Sequence, residues 1–189
     1  MFIYIHGFNS SPQSAKARQL KAKIDSLGRG DQYWCPALPD RPAQAMALLE
    51  TEVLRHRPET VTLVGSSLGG FYSTYLVEKH GVRAVLVNPA IVPHEGLEIY
   101  LGPQKNLHSG EAYELTREHL NELRALYVPA PKRLDNYYVI VTTGDDVLDY
   151  RQAISTYAGA RQLVIEGSDH GFAEFENYLG SVLEFADKA

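Results

Sequence analysis

The stretch VTLVGSSLGGFYSTYLVEKHG, from Val61 to Gly81, decides how this chain is read. It opens as a continuous apolar, β-branched run of the kind found in strands buried on both faces. From Leu68 to His80 the pattern becomes helical, with Phe71, Tyr72, Tyr75 and Leu76 on one side, and Gly81 stands where a helix would stop. Gly65, Ser66, Ser67, Leu68 and Gly69 fill the junction in the order G-x-S-x-G. A serine there has two readings. It can cap the helix by accepting a hydrogen bond from the first turn. It can also be a nucleophile, because this pattern between strand and helix sets the hydroxyl on a tight turn at the carboxyl end of a sheet. The glycines then let backbone approach backbone. Ser67 has the required glycine on either side. Ser66 has no glycine two residues before it and is the weaker nucleophile.

A serine hydroxyl reacts at neutral pH only with a base in reach, and that base needs an orienting group. Of the seven histidines, His170 has the right context. It lies in EGSDHGF, Glu166 to Phe172, directly after an apolar run and before a helical pattern. In an open α/β sheet that loop shares the carboxyl edge with Ser67. The acid is expected between serine and histidine in chain order. Thr143-Gly144-Asp145-Asp146-Val147-Leu148-Asp149 follows a strand-like run, and Asp145, where the loop begins, is the first choice. Asp146 is the nearest alternative and Asp149 a more distant one. Asp169 is read as a cap for the last helix. An oxyanion needs two N–H donors. The Leu68 N–H follows the nucleophile, and the Phe8 N–H, in the loop His6-Gly7-Phe8-Asn9 after the first run, is the second candidate. His6 is read as a brace for that loop.

Working outward, strand-like runs at Phe2–Ile5, Tyr33–Cys35, Thr60–Val64, Ala84–Val87, Tyr137–Thr142 and Gln162–Ile165 alternate with helical patterns at Lys16–Leu27, Ala43–Arg55, Leu68–His80 and Phe172–Phe185. That alternation predicts an α/β fold, a mostly parallel sheet with helices on both faces. Residues 1–189 read as one domain. Segment 88–136 breaks the rhythm: it is proline-rich, carries a helical pattern at Thr116–Tyr127, and is read as an insertion over the sheet, a candidate lid or a surface excursion.

The net charge of -5 and the lack of a Lys/Arg cluster give no sign of a nucleic-acid partner. One cysteine, Cys35, excludes an internal disulfide and reads as a small packed residue. No Cys/His metal pattern is present, no apolar run approaches the roughly 20 residues of a membrane span, and the opening MFIYIHGFNS has no leader-like character. A cytoplasmic protein without metal or cofactor is the expectation.

The stretches IHGFNSSPQSAKA, VGSSLGGFYSTYLVEKHG, NPAIVP, TTGDDVLDYRQA and EGSDHGFAEFENYL, in this order, resemble those of the α/β-hydrolase superfamily, and within it the small bacterial YqiA-type esterases. The likeness covers nearly the whole chain. It implies a trimmed sheet of about six strands, since the first strand here leads directly to His6-Gly7. It also implies Ser67 as nucleophile, His170 as base and Asp145 as acid, no cofactor, and a small-molecule carboxylic ester or thioester as substrate. An acyltransferase with the same acyl-enzyme, and a binding module on a hydrolase fold, are the alternatives.

Overall fold

The computed structural model describes residues 1–188; the last residue of the expected domain, Ala189, lies outside them. In chain order the elements are β1 (Phe2–Ile5), α1 (Ala15–Ser26), β2 (Tyr33–Trp34), α2 (Pro42–Val53), β3 (Thr62–Ser66), α3 (Leu68–His80), β4 (Arg83–Val87), α4 (Pro93–Gly96), β5 (Gly102–Lys105), β6 (Ala112–Leu115), α5 (Arg117–Ala125), β7 (Tyr137–Thr142), α6 (Tyr150–Thr156), β8 (Arg161–Ile165) and α7 (Leu179–Asp187). Six strands form one sheet in the order β2-β1-β3-β4-β7-β8, and every pairing in it is parallel.

The strand sequences explain the two layers of helices. Side chains alternate across a strand, so Ile3, Ile5, Leu63, Leu86 and Val139 go to one face and Phe2, Tyr4, Val64, Val85 and Ile140 to the other. The first set packs under α2, α3, α5 and α6, through residues such as Leu49, Leu76, Leu123 and Tyr157. The second packs under α1 and α7, through Leu20, Ile24, Leu179 and Val182. Both faces are covered, so neither leaves a polar stripe, and the runs read as continuous apolar sequence.

The chain passes from β1 outward to β2 and returns across β1 to β3. The order therefore reverses between β1 and β3, and in open α/β sheets that switch point is where ligands bind. The loop after β1 carries Phe8 and the turn after β3 carries Ser67.

Segment 88–136 has more structure than its prolines suggest. Besides α5 it holds the short helix α4 and an antiparallel hairpin, β5–β6. The last helical stretch also differs from the single helix expected over Phe172–Phe185. A 3-10 turn at Ala173–Tyr178 precedes α7, with Phe172 entering it in a left-handed conformation, φ 48°. Among the described residues no helix is long and apolar enough to cross a membrane. Cys35 is half-buried against the second core, and burial pushes its thiol up to about 11, which keeps it protonated.

Candidate active site

Ser67 occupies the N-cap position of α3, but its side chain makes no capping hydrogen bond. Its backbone is in a left-handed conformation, φ 55° with ψ -120°. That region strains any residue with a Cβ, and a side chain is kept there only where the surroundings hold it. Gly65 and Gly69, by contrast, have no positive φ; they are required for space. A Cβ on Gly65 would run into Ser73 and the Gly69 carbonyl, and one on Gly69 into the Ile5 carbonyl oxygen. The turn is bolted to its neighbour by Ser67 N–H to Val87 O at 3.0 Å and Ala90 N–H to Ser67 O at 3.1 Å. Ser66 is the buried last residue of β3.

His170 comes from the loop after β8. Its Nδ1 lies 2.7 Å from Asp145 Oδ2, and the Asp145 side chain is 1% exposed. Facing a carboxylate, Nδ1 carries the proton, which leaves Nε2 as an acceptor. Asp145 Oδ1 accepts from Val147 N–H at 2.9 Å and Leu148 N–H at 2.8 Å. Burial alone would raise the Asp145 pKa; the hydrogen bond from His170 and those two N–H donors outweigh it, and the carboxyl is held below its ordinary value. Of the other acids, Asp146 is exposed and Asp149 caps α6 by accepting from Arg151 N–H at 3.1 Å. Asp169 accepts from Phe172 N–H at 3.0 Å, one residue before the 3-10 turn.

Ser67 and His170 are walls of one cavity of about 790 Å³, together with Phe8, Leu68 and the insertion residues Ile91, Val92, Leu97, Ile99 and Tyr100. Among the described residues no hydrogen bond joins Ser67 Oγ to His170. The N–H groups of Leu68 and Phe8 have no hydrogen-bond acceptor among the described residues. Gly7 allows their approach, since a Cβ there would stand 3.1 Å from Ser67 Cβ. His6 lies outside this cavity, hydrogen-bonded to Gly7 O at 3.1 Å and to Leu38 N–H at 3.2 Å, and so ties the loop after β1 to the one after β2. No group of three or more His, Cys, Asp or Glu among the described residues is arranged to hold a metal ion.

Two supports of the site carry no signal in periodicity. Asn88, at φ 43° and buried, exchanges hydrogen bonds with Thr142: Asn88 Nδ2 to Thr142 Oγ1 at 3.0 Å, and Thr142 N–H to Asn88 Oδ1 at 2.9 Å. Thr142 Oγ1 in turn donates to Asp169 O at 3.3 Å, so the ends of β4 and β7 and the His170 loop are joined. Lys16 is 8% exposed, and its ammonium donates to His170 O at 3.2 Å and Gly171 O at 2.7 Å. The charge that marks Lys16 as a surface residue in a helix pattern is spent on two main-chain carbonyls.

Burial lowers the Lys16 pKa to about 8, against the pull of Asp145 and Asp169. Folded protein then binds fewer protons than unfolded chain between that value and the ordinary lysine value of about 10.4. Stability is therefore expected to rise with pH across this window in the wild type, relative to Lys16→Met. Urea unfolding of both proteins at several alkaline pH values checks it; parallel pH profiles would show that the ammonium is not desolvated.

The fold is shared with solved structures of low sequence identity. A protein of Agrobacterium vitis S4 superposes with a TM-score of 0.79 at 17% identity, over 98% of this chain and 87% of that one. Alpha/beta hydrolase domain-containing protein 10 from mouse gives 0.75 at 14% identity, over 99% and 89%. The esterase domain of a Rhodothermus marinus protein gives 0.62 at 14% identity, over 96% and 83%. Residues 1–187 match the uncharacterised protein family UPF0227. The chain thus belongs to the UPF0227 family, built on the α/β-hydrolase fold that its motifs resemble.

Proposed function

We propose that this protein is a serine hydrolase that cleaves carboxylic esters through an acyl-enzyme on Ser67. One observation carries the reading: a strained serine with an uncommitted hydroxyl shares a cavity with a histidine whose Nδ1 is 2.7 Å from a buried carboxylate. A helix cap needs neither the strain nor the histidine. The likeness to a fold that includes an esterase domain supports ester hydrolysis as the chemistry.

In this mechanism an ester enters the cavity and its carbonyl carbon meets Ser67 Oγ. His170 Nε2 takes the hydroxyl proton as the bond forms; catalytic hydrogen bonds of this kind tighten when substrate binds. Negative charge develops on the carbonyl oxygen, where the N–H groups of Phe8 and Leu68 receive it. The α3 N-terminus adds its dipole in the same direction. The alcohol leaves with the proton held by His170, and the acyl group stays on Ser67. Water then repeats the sequence: His170 takes its proton, the oxygen attacks the acyl carbon, and Ser67 regains its proton as the carboxylic acid departs. Asp145 holds the tautomer and balances the imidazolium. None of these steps calls for a metal or cofactor. The apolar insertion residues, Ile91, Val92 and Leu97, make an apolar acyl group the fitting substrate for this cavity.

The test is intact-protein mass after treatment with a fluorophosphonate, on wild type, Ser67→Ala and His170→Ala. The expected result is one adduct on wild type and none on either variant. An adduct that survives Ser67→Ala would move the nucleophile to another serine. A folded wild type that takes no label and turns over no ester would sink the hydrolase reading.

A further inference from the structure

The β5–β6 hairpin is bound to the loop that carries Phe8. Four hydrogen bonds cross between them. Leu107 N–H donates to Asn9 O at 3.0 Å, and Asn106 Nδ2 to Ser10 O at 2.8 Å. The Asn9 side-chain amide is held at both ends: Tyr113 OH donates to its Oδ1 at 2.7 Å, and its Nδ2 donates to Gln104 Oε1 at 3.1 Å. Gln104 and Tyr113 are direct cross-strand partners in the hairpin, so a single rung grips the amide. Asn9 itself stands at φ 52°, in the left-handed region, immediately after Phe8. The turn it belongs to closes with Ser10 N–H to Gly7 O at 3.3 Å.

This pattern is more than packing. A loop that only needed to turn would put glycine at a left-handed position. Asparagine tolerates that conformation, and here its side chain is fully engaged with the insertion. The turn from Gly7 O to Ser10 N–H encloses Phe8 and Asn9, so the side-chain bonds that hold Asn9 also fix Phe8, whose N–H belongs to the Gly7–Phe8 peptide within that turn.

We propose that the hairpin acts as a clamp on the chemical step, with Asn9, Gln104 and Tyr113 as positioning residues that aim the Phe8 N–H at the developing oxyanion. The proposal rests on the hydrolase reading above and deepens it: segment 88–136 walls the substrate cavity and also sets the oxyanion donor. A lid that lifts would carry Asn9 with it, and the same movement that opens the cavity would disassemble the donor.

Two variants test it. Tyr113→Phe removes one hydrogen bond and keeps the ring. Asn9→Gly removes both side-chain bonds and leaves the left-handed backbone permitted. A misplaced donor costs on the order of 10- to 100-fold in rate. Both variants are expected to lower kcat by about that range with KM nearly unchanged, and to weaken a trifluoromethyl ketone inhibitor by the same factor as kcat, since a tetrahedral adduct uses the same donors. Unfolding midpoints identify variants that are merely unstable. Folded variants with wild-type kcat would overturn the clamp, and so would a rise in KM at constant kcat, which would make the hairpin a cavity wall only. Wild-type protein that neither labels on Ser67 nor hydrolyses ester overturns the underlying reading instead, so the two failures are told apart.

Discussion

Replacing Asp145 by asparagine is expected to lower kcat by about four orders of magnitude while leaving the fold intact. The geometry gives the reason. Oδ1 accepts the Val147 and Leu148 N–H groups, and Oδ2 faces His170 Nδ1. Asparagine has one oxygen to offer, and the two N–H groups claim it. Its NH₂ then points at Nδ1 and forces that nitrogen to accept. The imidazole proton moves to Nε2, and the ring presents a donor where the serine hydroxyl needs an acceptor. Size and hydrogen-bond count barely change, so stability should stay near wild type. Steady-state kinetics on a short-chain ester, with fluorophosphonate labelling rates beside them, measure the effect. Asp146→Asn is the control, because Asp146 is exposed. A rate for Asp145→Asn within tenfold of wild type would remove Asp145 from the mechanism. The acid dependence follows from the same contacts. A carboxyl held below its ordinary value stabilises the fold above the unfolded value, and that contribution is lost only as pH falls through the depressed folded value. The pair therefore remains assembled through mildly acidic conditions.

Gly69→Ala is expected to fail at an earlier stage, in folding. The new Cβ would overlap the Ile5 carbonyl oxygen, with the His6 carbonyl oxygen close behind at 2.9 Å. Both are backbone atoms of the strand end that supports the Phe8 loop, so no side-chain rotation relieves the overlap. Helix propensity favours alanine over glycine by up to about 1 kcal/mol, which is the smaller effect here. Overpacking against fixed backbone costs about 3 kcal/mol or more, enough to lower the Tm of a chain this long by roughly 6 to 12 °C. Thermal unfolding followed by circular dichroism is the measurement. A variant as stable as wild type would mean that β1 and α3 can separate freely, and the requirement for the second glycine of the G-x-S-x-G pattern would need another cause.

The sheet was legible because buried parallel strands leave little choice of residue: Val61–Val64 and Tyr137–Thr142 can hardly be read otherwise. The hairpin β5–β6 was not legible. The strand β5 begins with Gly-Pro, and both strands alternate exposed residues with covered ones, so no apolar run marks them. Helix α6 is seven residues long and only Ala153 is buried in it. The last stretch, read as one helix from Phe172, keeps the expected spacing of Phe175, Leu179 and Val182 but begins as a 3-10 turn, because Phe172 enters in a left-handed conformation. At the site, the motif pattern pointed to Ser67, His170 and the three aspartates. The structure brings His170 to Asp145 and to neither of the other two. Lys16, Asn88, Asn9 and Tyr113 carry no sequence signal for one reason. Each acts through a hydrogen bond to a residue far away in sequence, and neither composition nor periodicity registers such a bond.

The pairing of β4 with β7 divides the molecule in a way that bears on how such chains diversify. In the proposed mechanism the nucleophile and the oxyanion donors lie before this seam, on residues 1–87; the acid and the base lie after it, Asp145 in the loop after β7 and His170 in the loop after β8. Asn88 and Ala90 belong to the seam through their bonds to Thr142 and Ser67, while the rest of segment 88–136 bridges it without taking part in it. It can be lengthened, shortened or exchanged, and a new substrate range acquired, while the reacting groups keep their distances. The exchange carries one condition: the replacement must still grip the turn at Asn9. A graft that fits the cavity but ignores that turn would inherit the specificity of its donor and lose the rate.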